Sequence, residues 1–269
     1  MSSPPRATPA LVATDLDGTF VRSDGSVSAR SARVWQSLPD RGVETLIVTA
    51  RPPRWLHDLE HVVGPRGVAI CGNGAFVYDV GGRRLLDAHV FDAALLLALV
   101  EDLRAAIPGV FFAAERADGP YLEHGWPDPH SRSGADRVHR GHGAAIGDGQ
   151  VGKLLALAPG IPVAEFFALV DAIVGERGHL AYSGAHGLAE INPRGVTKAV
   201  ALEQWCGRLG IAAADVWAFG DMPNDLPMLR WAGVGYAVAN AHPDVLAEAD
   251  AVCPANDDDG VAATLEPYV

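Results

Sequence analysis

Cysteine is scarce. Cys71, Cys206 and Cys253 are scattered and odd in number, so neither a disulfide framework nor a zinc-ligand spacing follows, and a reducing cytoplasm is the expected compartment. Long apolar runs are also missing. The longest, Ala93–Val100, falls far short of the ~20 residues that cross a bilayer as a helix. Positive charge is in deficit, with 21 Lys and Arg against 33 Asp and Glu and a formal net charge of −12. No basic run reverses that balance locally, which argues against a nucleic-acid surface. The opening MSSPPRATPA lacks a basic leader followed by a long apolar stretch, and is expected to be a frayed tail rather than a signal peptide. An acidic chain can still bind an anionic small molecule, but only around a local positive focus such as a metal ion or a placed Lys.

What is present is a repeated strand–helix grammar. At 269 residues the chain can form one large domain or two modest ones. A strand is predicted at 10–14, then a helix near 28–38 with Ser28 as N-cap. A second strand, VETLIVTA, ends at Thr49. Pro52 and Pro53 lead into a helix near 54–63, and GVAICGNGA supplies a third strand. The same grammar resumes late: a helix near 196–209 closed by Gly210, the strand DVWAFG, a helix from about 224, the strand GVGYAV, a helix near 243–248 and the strand DAVCP. Short continuous apolar strands alternating with helices predict a doubly wound, Rossmann-like parallel sheet covered on both faces. Between 83 and 187 the texture changes to helices near 91–106 and 162–176, hairpin-like strands and loops rich in Gly, Pro and His. That pattern predicts an α+β unit at 83–187 inserted into a discontinuous α/β core of residues 1–82 and 188–269.

The stretch LVATDLDGTF, Leu11–Phe20, ends a buried strand with Asp15 and Asp17. Two carboxylates there are costly unless something pairs with them or coordinates them. In open parallel sheets ligands bind beyond the carboxyl ends of the strands, and hard oxygen ligands suit Mg²⁺. An EF-hand is excluded, because Gly18 is the fourth residue of the motif and no acidic residue closes a twelve-residue loop; an acidic turn is the alternative. Other strand ends carry matching chemistry. Thr49 offers a hydroxyl to a phosphate oxygen. AFGDMPNDLPML places Asp221 past another strand, with Asn224 and Asp225 opening the next helix, where either could instead be an N-cap. Lys198 stands at a helix N-terminus, the wrong end of the macrodipole for a cation, so a functional reason competes with simple solvation.

The ordered set DLDGT (15–19), TAR (49–51), NPRGVTK (192–198) and GDMPND (220–225) resembles the haloacid-dehalogenase-like superfamily. More narrowly it resembles the Cof-type, or type-IIB, sugar-phosphatase-like hydrolases, as does GNGA at 72–75. The resemblance spans nearly the whole chain, and the inserted unit would be a cap domain controlling substrate access. One departure stands out: Thr49-Ala50-Arg51 occupies a place where the family commonly has Thr-Gly-Arg, and a positive φ at Ala50 would be strained.

The resemblance implies a Mg²⁺-dependent phosphatase in which Asp15 is the nucleophile that forms an aspartyl-phosphate. Asp17 would be the general acid and then the base. Thr49, Arg51, Lys198 and Asn224 would contact the substrate. Asp15, Asp221 and Asp17, the last through its backbone carbonyl, would ligate Mg²⁺, and Asp225 would support Lys198 or a metal-bound water. The chemistry agrees: phosphate monoesters hydrolyse very slowly unaided, a carboxylate nucleophile splits the reaction into two steps, and a metal, Lys198 and Thr49 can stabilise charge on the phosphoryl oxygens. The expected partner is a small phosphate ester such as a sugar or polyol phosphate, with no nucleic acid and no membrane; substrate identity and oligomeric state stay open. A phosphomutase of the same superfamily and a non-catalytic metabolite-binding module are the rival readings.

Four further features are read as structural. GDGQVG at 147–152 matches GxGxxG but leads into a short strand, and is expected to be a turn. His124, His130, His139 and His142 have no helical ligand spacing and are expected in solvated loops. Tyr121 and Trp126 are expected to pack, with a substrate-gating loop as the alternative. The acidic run Asp257–Asp259 is expected to be a solvated turn.

Overall fold

The computed structural model describes residues 7–64, 67–127, 138–183 and 187–269. The chain starts with β1 (Leu11–Thr14), whose four residues are all buried, and α1 (Ala29–Ser37), capped by the Ser28 side chain accepting from the Ser31 N–H. β2 (Glu44–Val48), α2 (Glu60–Val63), β3 (Val68–Cys71), β4 (Phe76–Asp79) and β5 (Arg84–Ala88) follow. The next segment holds α3 (Ala93–Ala106), β6 (Phe111–Arg116), β7 (Gly119–Glu123), β8 (His139–Gly141), β9 (Val151–Leu157), α4 (Val163–Val174), β10 (Gly178–Ala181) and β11 (Leu188–Pro193). The chain ends with α5 (Lys198–Leu209), β12 (Val216–Gly220), α6 (Leu226–Trp231), β13 (Val234–Val238), α7 (Pro243–Glu248), β14 (Ala251–Cys253) and α8 (Gly260–Leu265).

Two sheets result. The first runs β14-β13-β12-β1-β2-β3-β4-β5, with β14 through β3 parallel and the β4 and β5 pairings antiparallel. The second runs β10-β11-β9-β6-β7-β8. Each has its own apolar core, built around Leu11, Ile47 and Phe219 in one and Leu99, Phe112 and Phe166 in the other. The α/β class with an inserted α+β unit is as expected.

The sheets change over later than the expected division at 83 and 187. β5 (84–88) pairs with β4 in the first sheet, and β11 (188–193) pairs with β9 and β10 in the second. The Gly81-Gly82 punctuation marks the hairpin turn between β4 and β5, and only residues 194–197 separate β11 from α5.

Local differences also have physical causes. The helix expected near 54–63 is a 3₁₀ turn over Pro53–Leu59 with a single α turn, α2, behind it. The helix expected from about 224 begins as a 3₁₀ turn, Pro223–Asp225, before α6. The third strand stops at Cys71 because Gly72–Gly74 coil into a 3₁₀ turn in which Asn73 takes φ 60°. α5 starts at Lys198, where the Thr197 side chain accepts from the Val200 N–H, and Gly210 ends it in the left-handed region at φ 70°.

The readings set aside as structural also have places. GDGQVG lies in the turn entering β9. His124 and His142 stack their rings at 4.2 Å, His139 sits on β8 beside Asp118, and His130 lies outside the described residues. Tyr121 is buried in the second core beneath Arg116, and Trp126 is half-buried. The acidic run does more than face water: Asp259 pairs with Arg22, and Asp257 accepts from the Ser23 N–H and hydroxyl.

Candidate active site

β1 and β12 are neighbours in the parallel sheet, with Thr14 opposite Phe219 and the Asp15 N–H donating to the Phe219 carbonyl at 3.0 Å. That register carries Asp15 and Asp221 past the same sheet edge side by side. α5 approaches from elsewhere in the chain and delivers Lys198, whose Nζ donates to Asp15 Oδ1 and to Asp225 Oδ1 at 2.6 Å each. All four groups are buried. Asp225 is fully committed, because its Oδ2 accepts the N–H groups of Asp221 (3.1 Å) and Met222 (3.0 Å). Thr19 donates to Asp221 Oδ1 at 2.7 Å.

The charge count of this cluster is unbalanced. Three carboxylates, Asp15, Asp221 and Asp225, offer oxygens within 4.8 Å of one another, and among the described residues Lys198 is the one cation paired with them. Burial pushes Asp15 well above the ordinary carboxylate range, and Asp225 and Asp221 add to the rise against the pull of Lys198. Burial and then Asp225 push Asp221 up to about 6. Burial works against the Lys198 ammonium, but Asp15 and Asp225 overcome it and raise its pKa. Among the described residues, no donor reaches Asp15 Oδ2 or Asp221 Oδ2. Two free hard oxygens in a pocket with excess negative charge fit a divalent cation. Gly18 keeps that space open: it takes φ +82°, and a Cβ there would lie 2.4 Å from Asp221 Oδ2.

The remaining expected residues form a second ring. Thr49, just past β2, is buried, and its hydroxyl oxygen accepts the Arg51 N–H at 3.1 Å. The Arg51 guanidinium grips Asp17 with two bonds, Nε to Oδ2 at 2.7 Å and Nη2 to Oδ1 at 2.5 Å. Arg51 is thus engaged by the neighbouring carboxylate rather than standing free. Asp17 itself is 60% exposed and lies outside the acidic cluster. Asn224 donates from Nδ2 to Asn73 Oδ1 at 3.2 Å. Ala50 is not among the described non-glycine residues with positive φ, which are Asn73, Arg83 and Asp259, so the departure from Thr-Gly-Arg carries no backbone strain.

The sequence reading passed over four residues of this region. Thr19 sits inside the first motif, and Asn73 lies in GNGA without having been named individually. Lys153 and Glu190 form a buried ion pair at 2.9 Å, with Asn73 Nδ2 donating to Glu190 at 2.8 Å. The signal for these last two was one charge of each sign inside otherwise apolar strands, VGKLLAL and LAEINP, where a lone charge demands a partner.

Residues 12–265 match the model of the haloacid dehalogenase-like hydrolase family. The chain is 27% identical over 255 residues to a phosphoglycolate phosphatase of Methanopyrus kandleri, with 95% of each chain covered. It is 27% identical over 272 residues to a pyridoxal phosphate phosphatase of Escherichia coli, covering 96% of this chain and 98% of the relative. The solved structure of a subclass IIB sugar phosphatase of this superfamily shares the fold, with a TM-score of 0.78 at 19% identity over 96% of this chain and 98% of that one. The chain belongs to the haloacid dehalogenase-like hydrolases. Within them its four motifs resemble the Cof-type branch. Among the described residues, no helix is long and apolar enough to cross a membrane.

Proposed function

We infer that the protein is a Mg²⁺-dependent phosphatase that hydrolyses a small phosphorylated metabolite, of the sugar or polyol phosphate class, through a phosphorylated Asp15. The observation that carries this reading is the Lys198 bridge between Asp15 and Asp225, with Asp221 in the same buried cluster. A buried ammonium and three converging carboxylates from three chain segments cost too much to serve as a solvated turn.

Lys198 favours the ionised form of Asp15, which can then attack phosphorus with a carboxylate oxygen. The new O–P bond forms as the ester O–P bond breaks, and the departing alkoxide takes a proton from Asp17. In the second half Asp17 accepts a proton from water, the resulting hydroxide attacks phosphorus, and the Asp15 O–P bond breaks to release inorganic phosphate. Arg51 aims Asp17 by its two-bond grip, a positioning role beside the substrate contact expected from the motif. Thr49, Lys198 and Asn224 hold phosphoryl oxygens. Asp15 and Asp221 side chains and the Asp17 carbonyl would hold Mg²⁺, which when bound supplies positive charge to the carboxylates and the phosphoryl group. The unit carrying the second sheet acts as the cap over this crevice. Three buried, unpaired thiols support a reducing cytoplasm as the compartment.

The test is a panel of phosphate monoesters with Mg²⁺, reading inorganic phosphate. Asp15→Asn is expected to lose at least ~10⁴-fold in kcat, as removal of a covalent nucleophile does. Turnover surviving in Asp15→Asn would overturn the assignment, and isomer formation without phosphate release would make the enzyme a phosphomutase.

A further inference from the structure

The polar network between the two sheets lies outside the chemistry described above. Glu190, on β11 of the inserted unit, is 3% exposed and accepts from Lys153 Nζ at 2.9 Å, from Asn73 Nδ2 at 2.8 Å and from the Ser183 hydroxyl. Lys153, on β9 of the same unit, spends a second hydrogen bond on the Ala50 carbonyl at 2.8 Å. That carbonyl belongs to the peptide bond joining Ala50 to Arg51. Asn73 belongs to the other sheet's turn: its N–H donates to the Thr49 carbonyl at 3.0 Å, and its side-chain oxygen accepts from Asn224 at 3.2 Å. One buried ion pair therefore reaches the site twice, through Ala50 to the Thr49–Arg51 loop and through Asn73 to Asn224.

We propose that Lys153 and Glu190 are positioning residues, which hold the Thr49–Arg51 loop and the Asn224 amide in register with Asp15 when the cap sits on the core. The proposal rests on the Asp15 reading above. A purely structural rivet is a poor account of this pair, because a buried ion pair contributes little more than a well-packed apolar pair of similar volume. What an apolar pair cannot do is donate to Ala50 and accept from Asn73 at once. One hydrogen of the Asn224 amide goes to Asn73 Oδ1, so the direction of that amide depends on Asn73 being fixed. Asn73 in turn needs Glu190.

The experiment uses the Mg²⁺-loaded full chain with p-nitrophenyl phosphate as substrate and orthovanadate as inhibitor. Variants are Lys153→Met, Lys153→Arg, the apolar double variant K153M/E190L, Asn73→Gly, which keeps the left-handed turn, and Asp15→Asn as control. An inhibition constant does not depend on what fraction of the enzyme is folded, so a structural role alone leaves it unchanged. Lys153→Met and Asn73→Gly are expected to lower kcat and to raise the vanadate Ki, each by ~10²-fold, the scale of a 1 Å misplacement. Lys153→Arg should recover most of the loss. K153M/E190L should regain the wild-type Tm and stay slow. Wild-type kcat and Ki in K153M/E190L would overturn the proposal. If neither Lys153 variant folds, an unchanged Ki in Asn73→Gly overturns it. Turnover surviving in Asp15→Asn removes the Asp15 reading and this proposal with it, whereas a dead Asp15→Asn beside an unmoved Ki defeats the positioning role alone.

Discussion

Lys198 sets the balance of the site, since it is the cation shared by Asp15 and Asp225 at 2.6 Å each. Lys198→Met leaves both carboxylates buried without it and should destabilise the metal-free protein by about 3–5 kcal/mol, the cost of breaking a buried pair from one side. Urea unfolding with and without Mg²⁺ checks this, and the gap should narrow when the metal is added. Asp221 gives a pH test. Its carboxyl in the metal-free protein is pushed up to about 6, so below that pH an arriving cation must displace a proton. Mg²⁺ affinity should fall as pH drops through about 6, with proton release in calorimetry at pH 5.5 and little at 7.5. The stability sign is the reverse. Because the folded state holds that proton more tightly than the unfolded chain, the metal-free protein loses this contribution as pH rises from the ordinary carboxylate range towards about 6.

Elements matter because they aim these residues. α5 delivers Lys198 only if its first turn starts where it does, and the Thr197 side chain sets that start by capping the Val200 N–H at 3.2 Å. Thr197→Ala should cost about 1 kcal/mol, which corresponds to a Tm drop of roughly 2–4 °C in a chain of this size. It should also lower kcat, because Lys198 is the first residue of the loosened turn. Differential scanning calorimetry and steady-state kinetics check the two effects. Most elements were legible because period and punctuation are local: Ser28 before α1, Gly210 after α5 and the apolar run of β1 all speak for themselves. Pro52 and Pro53 mark where the 54–63 segment starts to coil, at the N-cap and first helical position, but not that it coils as a 3₁₀ turn over Pro53–Leu59.

At the scale of the whole molecule the two sheets meet through further polar contacts besides those of Lys153 and Asn73. Asn192 donates to the Gly72 carbonyl at 2.7 Å, and Arg54 forks onto Glu115, with Nη2 to Oε1 at 3.0 Å. Arg54→Ala, Glu115→Ala and the double variant should show a coupling of about 1–3 kcal/mol in a double-mutant cycle, since the pair is mostly buried and lies in one network. The sheets change over after 83 and 187 for a related reason. β5 and β11 are ordinary strands by composition, and only pairing tells which sheet claims them.

The sequence by itself determined the alternation of strand and helix, the inserted unit and the chemistry standing at each strand end. These rest on neighbours within a few residues, where backbone geometry and apolar period act directly. Only the tertiary structure decided which groups pair. Lys198 and Asp15 are 183 residues apart, Asn73 and Glu190 117, and Arg51 and Asp17 34. No local pattern carries such pairings, because they follow from the order in which strands enter a sheet and from the need of each buried charge to find a partner.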